Sequence, residues 1–234
     1  MFAVKRAILL AAGRGERLRP WTDTTPKPLL RVQGQPLLHR LIARLQAAGI
    51  REIYVVTGYK AEQFAALPVQ FPGVQLLFNP YYAQANNILS LYAARAHLQD
   101  CLIMDSDQLL ADAFVLPHEL PKSCYCCTWQ EQETREWLLT VQEGRVVHCR
   151  RAGGRKGWQL FSLSFWSAAD GARLAGHLAQ AFQEPALWHL YWDDLALTQH
   201  PQDYDLGVYP VQPGDILEFD SAAELAAIDA AYKV

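Results

Sequence analysis

A three-layer α/β/α sandwich around a mostly parallel, mixed β-sheet is the architecture this sequence predicts. Three observations carry that expectation. Short apolar runs alternate with amphipathic stretches across residues 7–104. Each run stops at a turn or a polar cluster, as strands buried on both faces do. Beyond Pro121 the pattern changes to closely spaced strand-like segments around further helices. The chain has 234 residues, 51% of them hydrophobic, enough for the core of one large domain spanning 1–234.

The elements follow in order. Ala7 to Ala12 is an apolar run that reads as a buried strand and spills into Gly13-Arg14-Gly15. Pro36 to Gly49 reads as a helix, with Leu37, Leu38, Leu41, Ile42 and Leu45 on one stripe and Gly49 ending it. Glu52 to Thr57 is the next parallel strand; Gly58-Tyr59-Lys60 closes it and a short helix runs to about Leu67. Val74 to Phe78 is a third strand. A polar loop, Asn79 to Asn87, leads into a helix from Ile88 to Leu98. Cys101 to Met104 is a fourth strand, with Asp105-Ser106-Asp107 at its C-terminal end. Such alternation implies right-handed crossovers. Ligands of open α/β sheets bind beyond the C-terminal strand ends. The glycine turn and the acidic triplet therefore share one edge.

In the second half, Ser123 to Gln130, Trp137 to Gln142, Arg145 to Arg150 and Trp158 to Phe165 are strand-like, with Glu143-Gly144 as a hairpin turn. Ala168 to Phe182 is a helix, and a second covers His189 to Gln199. Leu206 to Val211 and Ile216 to Phe219 are strands. Ser221 and Glu224 form a capping box that opens the last helix, with Leu225, Ile228 and Tyr232 facing inward. Arg150 to Gly157 (RRAGGRKG) has the composition of a mobile lid.

Composition excludes several classes. Charged residues are 19% of the chain and the net charge is −3, which speaks against a nucleic-acid partner. No apolar run approaches a membrane span, and Met1 leads into the first strand through Lys5 and Arg6 rather than through a secretory leader. The five cysteines, Cys101, Cys124, Cys126, Cys127 and Cys149, read as buried free thiols, Cys124 and Cys126 alternating along an apparent strand. A cytoplasmic protein is the expectation.

The chemistry concentrates between Ile8 and Leu30. A strand that ends in Gly13-Arg14-Gly15 offers backbone N–H groups with no Cβ in the way. Arg14, Arg17 and Lys27 can supply positive charge for phosphates. Two other phosphate loops are excluded: Leu18 stands where a dinucleotide fingerprint needs its third glycine, and Lys27 lies far beyond a P-loop lysine. The ordered pattern Ala11-Ala12-Gly13-Arg14-Gly15-Glu16-Arg17-Leu18, Pro20 and Pro26-Lys27-Pro28-Leu29 resembles the signature of nucleotidyltransferases that join a nucleoside triphosphate to a phosphorylated small molecule. That resemblance implies a Rossmann-like (GT-A-like) fold. It makes residues 1–120 the nucleotide-binding half and 121–234 the acceptor-binding half. It also implies that the glycine turn wraps the triphosphate while Arg17 and Lys27 contact it.

In such a transfer a phosphate oxygen attacks the α-phosphorus of a triphosphate. Both partners are anions, so charge must be neutralised first. Mg²⁺ does this with one or two protein carboxylates. Asp107 is the first expected ligand, with Asp105 pointing the same way along an extended segment. A second acid comes from Glu218 or Asp220, just before the last helix. The acceptor is already ionised, so catalysis rests on positioning and electrostatics, with Lys27, Arg17 and Asp107 as the catalytic set. Backbone groups at Leu10, Ala11 and Ala12, with the amides of Gln84, Asn86 and Asn87, can read a pyrimidine edge.

The second half is rich in aromatics, and Tyr191-Trp192-Asp193-Asp194 sets two π faces beside two acids. That pairing suits a bulky cation. Here the resemblance narrows to bacterial choline-phosphate cytidylyltransferases and related phosphonate cytidylyltransferases, through Asn86, Glu136-Trp137, Tyr191 to Asp194 and Glu218 to Asp220. It implies CTP as donor and an acceptor head enclosed by Trp137, Tyr191, Trp192 and Asp193. The basic Arg150 to Gly157 departs from the pattern. A primary ammonium, as in 2-aminoethylphosphonate, would instead want hydrogen bonds to Asp193 or Glu136. The expected reaction is Mg²⁺-dependent transfer from CTP to phosphocholine or a similar phospho- or phosphono-amino-alcohol, releasing pyrophosphate. A sugar-1-phosphate nucleotidyltransferase and a non-catalytic ligand sensor are the alternatives. A homodimer is compatible with the sequence.

Overall fold

The computed structural model describes residues 1–219 and 221–232. Its main elements in the first half are β1 (Arg6–Ala11), α1 (Leu37–Ala47), β2 (Glu52–Thr57), β3 (Val74–Phe78), α2 (Ile88–Ala93), β4 (Cys101–Asp105) and β5 (Gln108–Leu110). The second half adds β6 (Cys124–Gln130), β7 (Leu138–Gln142), β8 (Arg145–Arg150), β9 (Gly157–Trp166) and α3 (Ala168–Phe182). It closes with β10 (Gly207–Pro210), β11 (Ile216–Glu218) and α4 (Ala222–Ile228).

Strand alternation builds the layers. β1 sends Ala7, Leu9 and Ala11 to one face and Ile8 and Leu10 to the other, and all five are buried. On the first face α1 lays Leu38, Leu41, Ile42 and Leu45. On the second, α2 and α3 contribute Ile88, Leu89, Leu91, Leu174 and Leu178. The outcome is a three-layer, Rossmann-like α/β arrangement.

Strands β3, β2, β1 and β4 lie side by side in that order and run parallel. Beyond β4 the sheet continues with β9, which is antiparallel and ten residues long. Its length lets it serve two neighbours on one edge: Ser164, Phe165 and Trp166 pair with β4, while Trp158 and Gln159 pair with β7. β6 runs along the opposite edge and is joined by β10, parallel to it. Among the described residues, Phe161 to Leu163 have no strand partner on the forked edge. This gap opens beside the C-terminal end of β4.

Several boundaries differ from the sequence expectation. β5 was not anticipated; it pairs antiparallel with β11 and sets Gln108 opposite Glu218. The helix expected over Ile88–Leu98 stops at Ala93 and continues as a separate 3₁₀ turn, Arg95–His97. The helix expected over His189–Gln199 starts later: a turn at Trp192 leads into α-helical Asp193 and Asp194, and the helix continues with π geometry over Leu195–Gln199. Arg150 to Gly157 is held rather than loose: Thr134 and Gly154 exchange backbone hydrogen bonds, and the Arg150 guanidinium donates to the carbonyls of Arg155 and Lys156. The capping box of α4 forms, with Glu224 N donating to Ser221 Oγ and Ser221 N to Glu224 Oε2. The five cysteines are buried free thiols. Among the described residues, no helix is long and apolar enough to cross a membrane.

Candidate active site

The end of β1 is shaped by close backbone approach. Ala12 O accepts the N–H of Tyr59, and Gly58 beside it has no room for a side chain. A Cβ there would lie 2.6 Å from Tyr82 Cβ and 2.9 Å from Ala12 O. Gly15 takes the left-handed conformation (φ 61°), and its carbonyl accepts the Thr22 hydroxyl at 2.9 Å. This folds the signature loop back, so that Lys27 returns to the strand ends. Lys27 is buried; its Nζ lies 2.8 Å from Asp107 Oδ2 and 5.3 Å from the centroid of the Phe219 ring.

A cleft of about 420 Å³ follows from this geometry. Leu10 to Gly13, Gly15, Arg17, Lys27, Asn86, Asn87, Asp105 and Asp107 are among the residues that line it. The acids sit where the sheet edges meet. Asp105 ends β4 next to Leu10 of β1, and Glu218 of β11 lies opposite Gln108, the residue after Asp107. Gln108 Nε2 reaches Glu218 Oε2 at 3.5 Å. Among the described residues, Asp107 Oδ1 is buried and has no hydrogen-bond partner. Burial, and secondly the charge of Asp107, push Asp105 up to about 8; the Ser162 hydroxyl pulls the other way. Asp220, the other metal-ligand candidate, lies outside the described residues.

A second compartment, about 280 Å³, opens from the first at the fork in the sheet. Arg17, Asn87, Asp105, Asp107 and Tyr191 line both spaces. Glu136, Trp137, Leu160, Ser162, Asp193 and Glu218 complete the second. Trp137 and Tyr191 meet edge to face, with ring centroids 5.6 Å apart and planes at 86°. Asp193 is 5% exposed, and its Oδ1 has no hydrogen-bond partner among the described residues. Burial raises its pKa to about 7, against the pull of the Tyr125 hydroxyl and the backbone.

Not every expected residue arrives. Trp192 is fully buried in the core, stacked near Tyr125 and Trp166, and lines neither space. The turn it sits on points consecutive side chains in different directions, so it is a packing residue rather than a wall of the acceptor box. Arg14 points away toward Glu16 and Tyr82, and Gln84 is exposed; neither lines the cleft. Asn86 and Asn87 line it but also tie the structure together. Asn86 N and Nδ2 donate to the carbonyls of Trp188 and His189, and Asn87 Oδ1 accepts the N–H of Trp192. Sequence reasoning missed Ser162, Leu160 and Ser90. Leu160 and Ser162 share a face of β9 by the two-residue period, a signal readable in the sequence. Ser90 receives the Asn79 amide at 3.1 Å inside the core edge, and nothing in its sequence context marks that.

Comparison with known proteins identifies the family. A profile of the MobA-like NTP transferase domain matches residues 7–156. A 2-aminoethylphosphonate cytidylyltransferase of Lancefieldella rimae is 38% identical over 97% of this chain and 92% of its own length. A choline-phosphate cytidylyltransferase of Streptococcus pneumoniae is 32% identical over 97% of this chain and 98% of its own. The solved structure of CTP:phosphocholine cytidylyltransferase from S. pneumoniae superposes with a TM-score of 0.88 at 32% identity, covering 97% of this chain and 99% of that one. The chain belongs to the MobA-like NTP transferase family and is a nucleotidyltransferase.

Proposed function

We propose that the protein transfers a cytidylyl group from CTP to a small phosphonate or phosphate that carries a primary amine, 2-aminoethylphosphonate foremost, and releases pyrophosphate. The observation that carries this is the junction of the two compartments. Arg17 and Asp107 belong to both, Lys27 stands at hydrogen-bond distance from Asp107, and the inner space offers carboxylates to a cation. With Trp192 withdrawn into the core, the head-group wall consists of two rings, Trp137 and Tyr191, and two acids, Glu136 and Asp193. A primary ammonium has three N–H donors for such acids; a quaternary one has none. The relative from L. rimae supports the phosphonate, and the S. pneumoniae relative keeps phosphocholine as the second reading. A hexose phosphate would have little use for a buried carboxylate such as Asp193.

Mg²⁺ fits the acidic corner. Asp107 Oδ1 is a buried oxygen without a hydrogen-bond partner among the described residues, Glu218 lines the same compartment, and both are hard oxygen donors. When bound, the ion would neutralise charge between the approaching phosphates. Asp107 and Glu218 would hold it, with Asp220 as the further candidate. The chain's own groups do the rest. Arg17 faces both spaces and can draw the acceptor oxyanion toward the α-phosphate. Lys27 adds positive charge beside the triphosphate, and Gly13 and Gly15 let backbone N–H groups approach it. The acceptor oxygen attacks the α-phosphorus in line with departing pyrophosphate, and no protein base is needed because that oxygen is already ionised. Leu10 to Ala12 and Asn87 are the groups that can meet the cytosine edge.

The test is a grid of four nucleoside triphosphates against 2-aminoethylphosphonate, phosphocholine, phosphoethanolamine and sugar 1-phosphates, scored by pyrophosphate with and without a chelator. The expected result is fastest turnover for CTP with 2-aminoethylphosphonate, abolished by chelation. Preferential use of a sugar 1-phosphate, or undiminished turnover in chelator, would overturn the proposal.

A further inference from the structure

Arg151 stands outside the acceptor compartment yet touches its walls. Its guanidinium carbon lies 4.8 Å from the centroid of the Trp137 ring and 6.0 Å from that of Tyr191. Both rings line the compartment and Arg151 does not. Its Nε lies 3.3 Å from Asp194 Oδ1. The Asp194 side chain is fully buried, and its Oδ2 accepts the N–H of Tyr191 at 3.0 Å. Arg151 therefore leans on the two rings and, through Asp194, on the turn that carries Tyr191 and Asp193.

A cation already seated against an aromatic pair draws on the same π electrons that a second cation would use. The acceptor's head group meets Trp137 and Tyr191 from inside while the guanidinium holds them from outside. The loss falls unequally. A quaternary ammonium has no N–H and depends on ring faces; a primary ammonium can instead donate to Glu136 and Asp193. Direct repulsion from the guanidinium acts on both head groups alike and cancels when the two are compared.

We infer that Arg151 is a specificity-determining residue, which biases the acceptor compartment against quaternary ammonium and toward primary ammonium head groups by occupying the outer side of the Trp137–Tyr191 pair. The inference rests on the acceptor site proposed above. It gives the basic segment after β8 a role at that site: the loop is pinned to Thr134, and it delivers one charge to a fixed place.

The test compares wild type with Arg151→Gln and Arg151→Lys. Dissociation constants for phosphocholine and 2-aminoethylphosphonate are measured by calorimetry, and turnover of each with CTP is measured in parallel. In Arg151→Gln the affinity ratio of phosphocholine to 2-aminoethylphosphonate rises roughly fivefold, the size of one partly exposed cation–π contact. In Arg151→Lys, which keeps a cation near the rings, the ratio stays within about twofold of wild type. A purely structural role, through Asp194, would lower the melting temperature and weaken both acceptors together. An unchanged ratio in Arg151→Gln, or an equal rise in Arg151→Lys, overturns the inference. Binding without turnover in wild type would sink the proposed reaction while the binding ratio still decides the role of Arg151. Failure of both acceptors to bind would sink both.

Discussion

Asp193 is the residue at which acceptor binding becomes a function of pH. Burial pushes its pKa up to about 7, so near neutrality the ligand-free protein holds it roughly half ionised. An ammonium head group needs the anion. About one molecule in ten carries it at pH 6 and about nine in ten at pH 8. Apparent affinity scales with the competent fraction, so the acceptor KM should fall about tenfold between those values. The acceptor's phosphonate also ionises in this range, and Asp193→Asn separates the two effects. The variant should show a higher KM throughout and retain only the slopes of the acceptor and of Asp105, which lines both compartments and is itself pushed up to about 8. The assay is pyrophosphate release against acceptor concentration at saturating CTP, from pH 6 to 8.5. Equal slopes in wild type and variant would refute the role given to Asp193.

Stability should move in the opposite sense. The folded pKa lies above the unfolded one, so the folded chain keeps this proton longer. The stability contributed by the group then declines as pH rises from about 4 to about 7, and is flat above that. The interval from 3.8 to about 7 sets a ceiling of about 4 kcal/mol. Ligand-free Asp193→Asn should therefore melt a few degrees above wild type at pH 8 and alongside it at pH 4.

Other substitutions read other parts of the site. Lys27→Met removes the buried cation beside Asp107 and should lower kcat by about 10²–10³-fold at saturating CTP and Mg²⁺, as loss of a preorganised charge does; a fall under about tenfold would deny Lys27 a catalytic role. Trp192→Phe should cost about 1–3 kcal/mol in denaturant unfolding and leave acceptor preference unchanged, because the indole packs on Tyr125 and Trp166 rather than on substrate; a shifted preference would return Trp192 to the box. Gly58→Ala drives a methyl group against Tyr82 and the Ala12 carbonyl, so it should raise the KM for CTP more than that for the acceptor in initial-rate assays.

The parallel half of the sheet was legible because its strands are buried on both faces and read as unbroken apolar runs. Helix α1 was legible through its stripe of leucines. The second helix of the acceptor half was legible only in its C-terminal part, Asp193 to Gln199. Its start is set by side chains that hold the backbone of the preceding residues. Asn87 Oδ1, 105 residues away in sequence, accepts the N–H of Trp192, and Asp194 Oδ2 accepts that of Tyr191. Such bonds keep Tyr191 and Trp192 in a turn, and nothing in the apolar pattern of the segment marks the boundary. β5 escaped notice for a different reason. Three residues carry no periodicity, and its strand character exists only because β11 lies beside it.

The same turn explains why the site was only partly legible. Tyr191 to Asp194 read in sequence as one cluster, yet consecutive residues through a turn into a helix point about 100° apart. Tyr191 faces both compartments, Trp192 the core, Asp193 the inner compartment, and Asp194 its own backbone and Arg151. Tyr125 on β6 and Trp166 on β9 receive the one indole that goes inward, and nothing adjacent to Trp192 in sequence announces them. Removing that ring changes what the pocket can select. Three rings would enclose a methylated cation by π surface alone; two rings at right angles, backed by a guanidinium and faced by two carboxylates, discriminate by hydrogen bonding and charge. The fork in the sheet makes the space, since β9 leaves Phe161 to Leu163 unpaired on that edge beside the end of β4. In the proposed site, then, the backbone would set where an acceptor sits, and the direction of four consecutive side chains would set which acceptor that is.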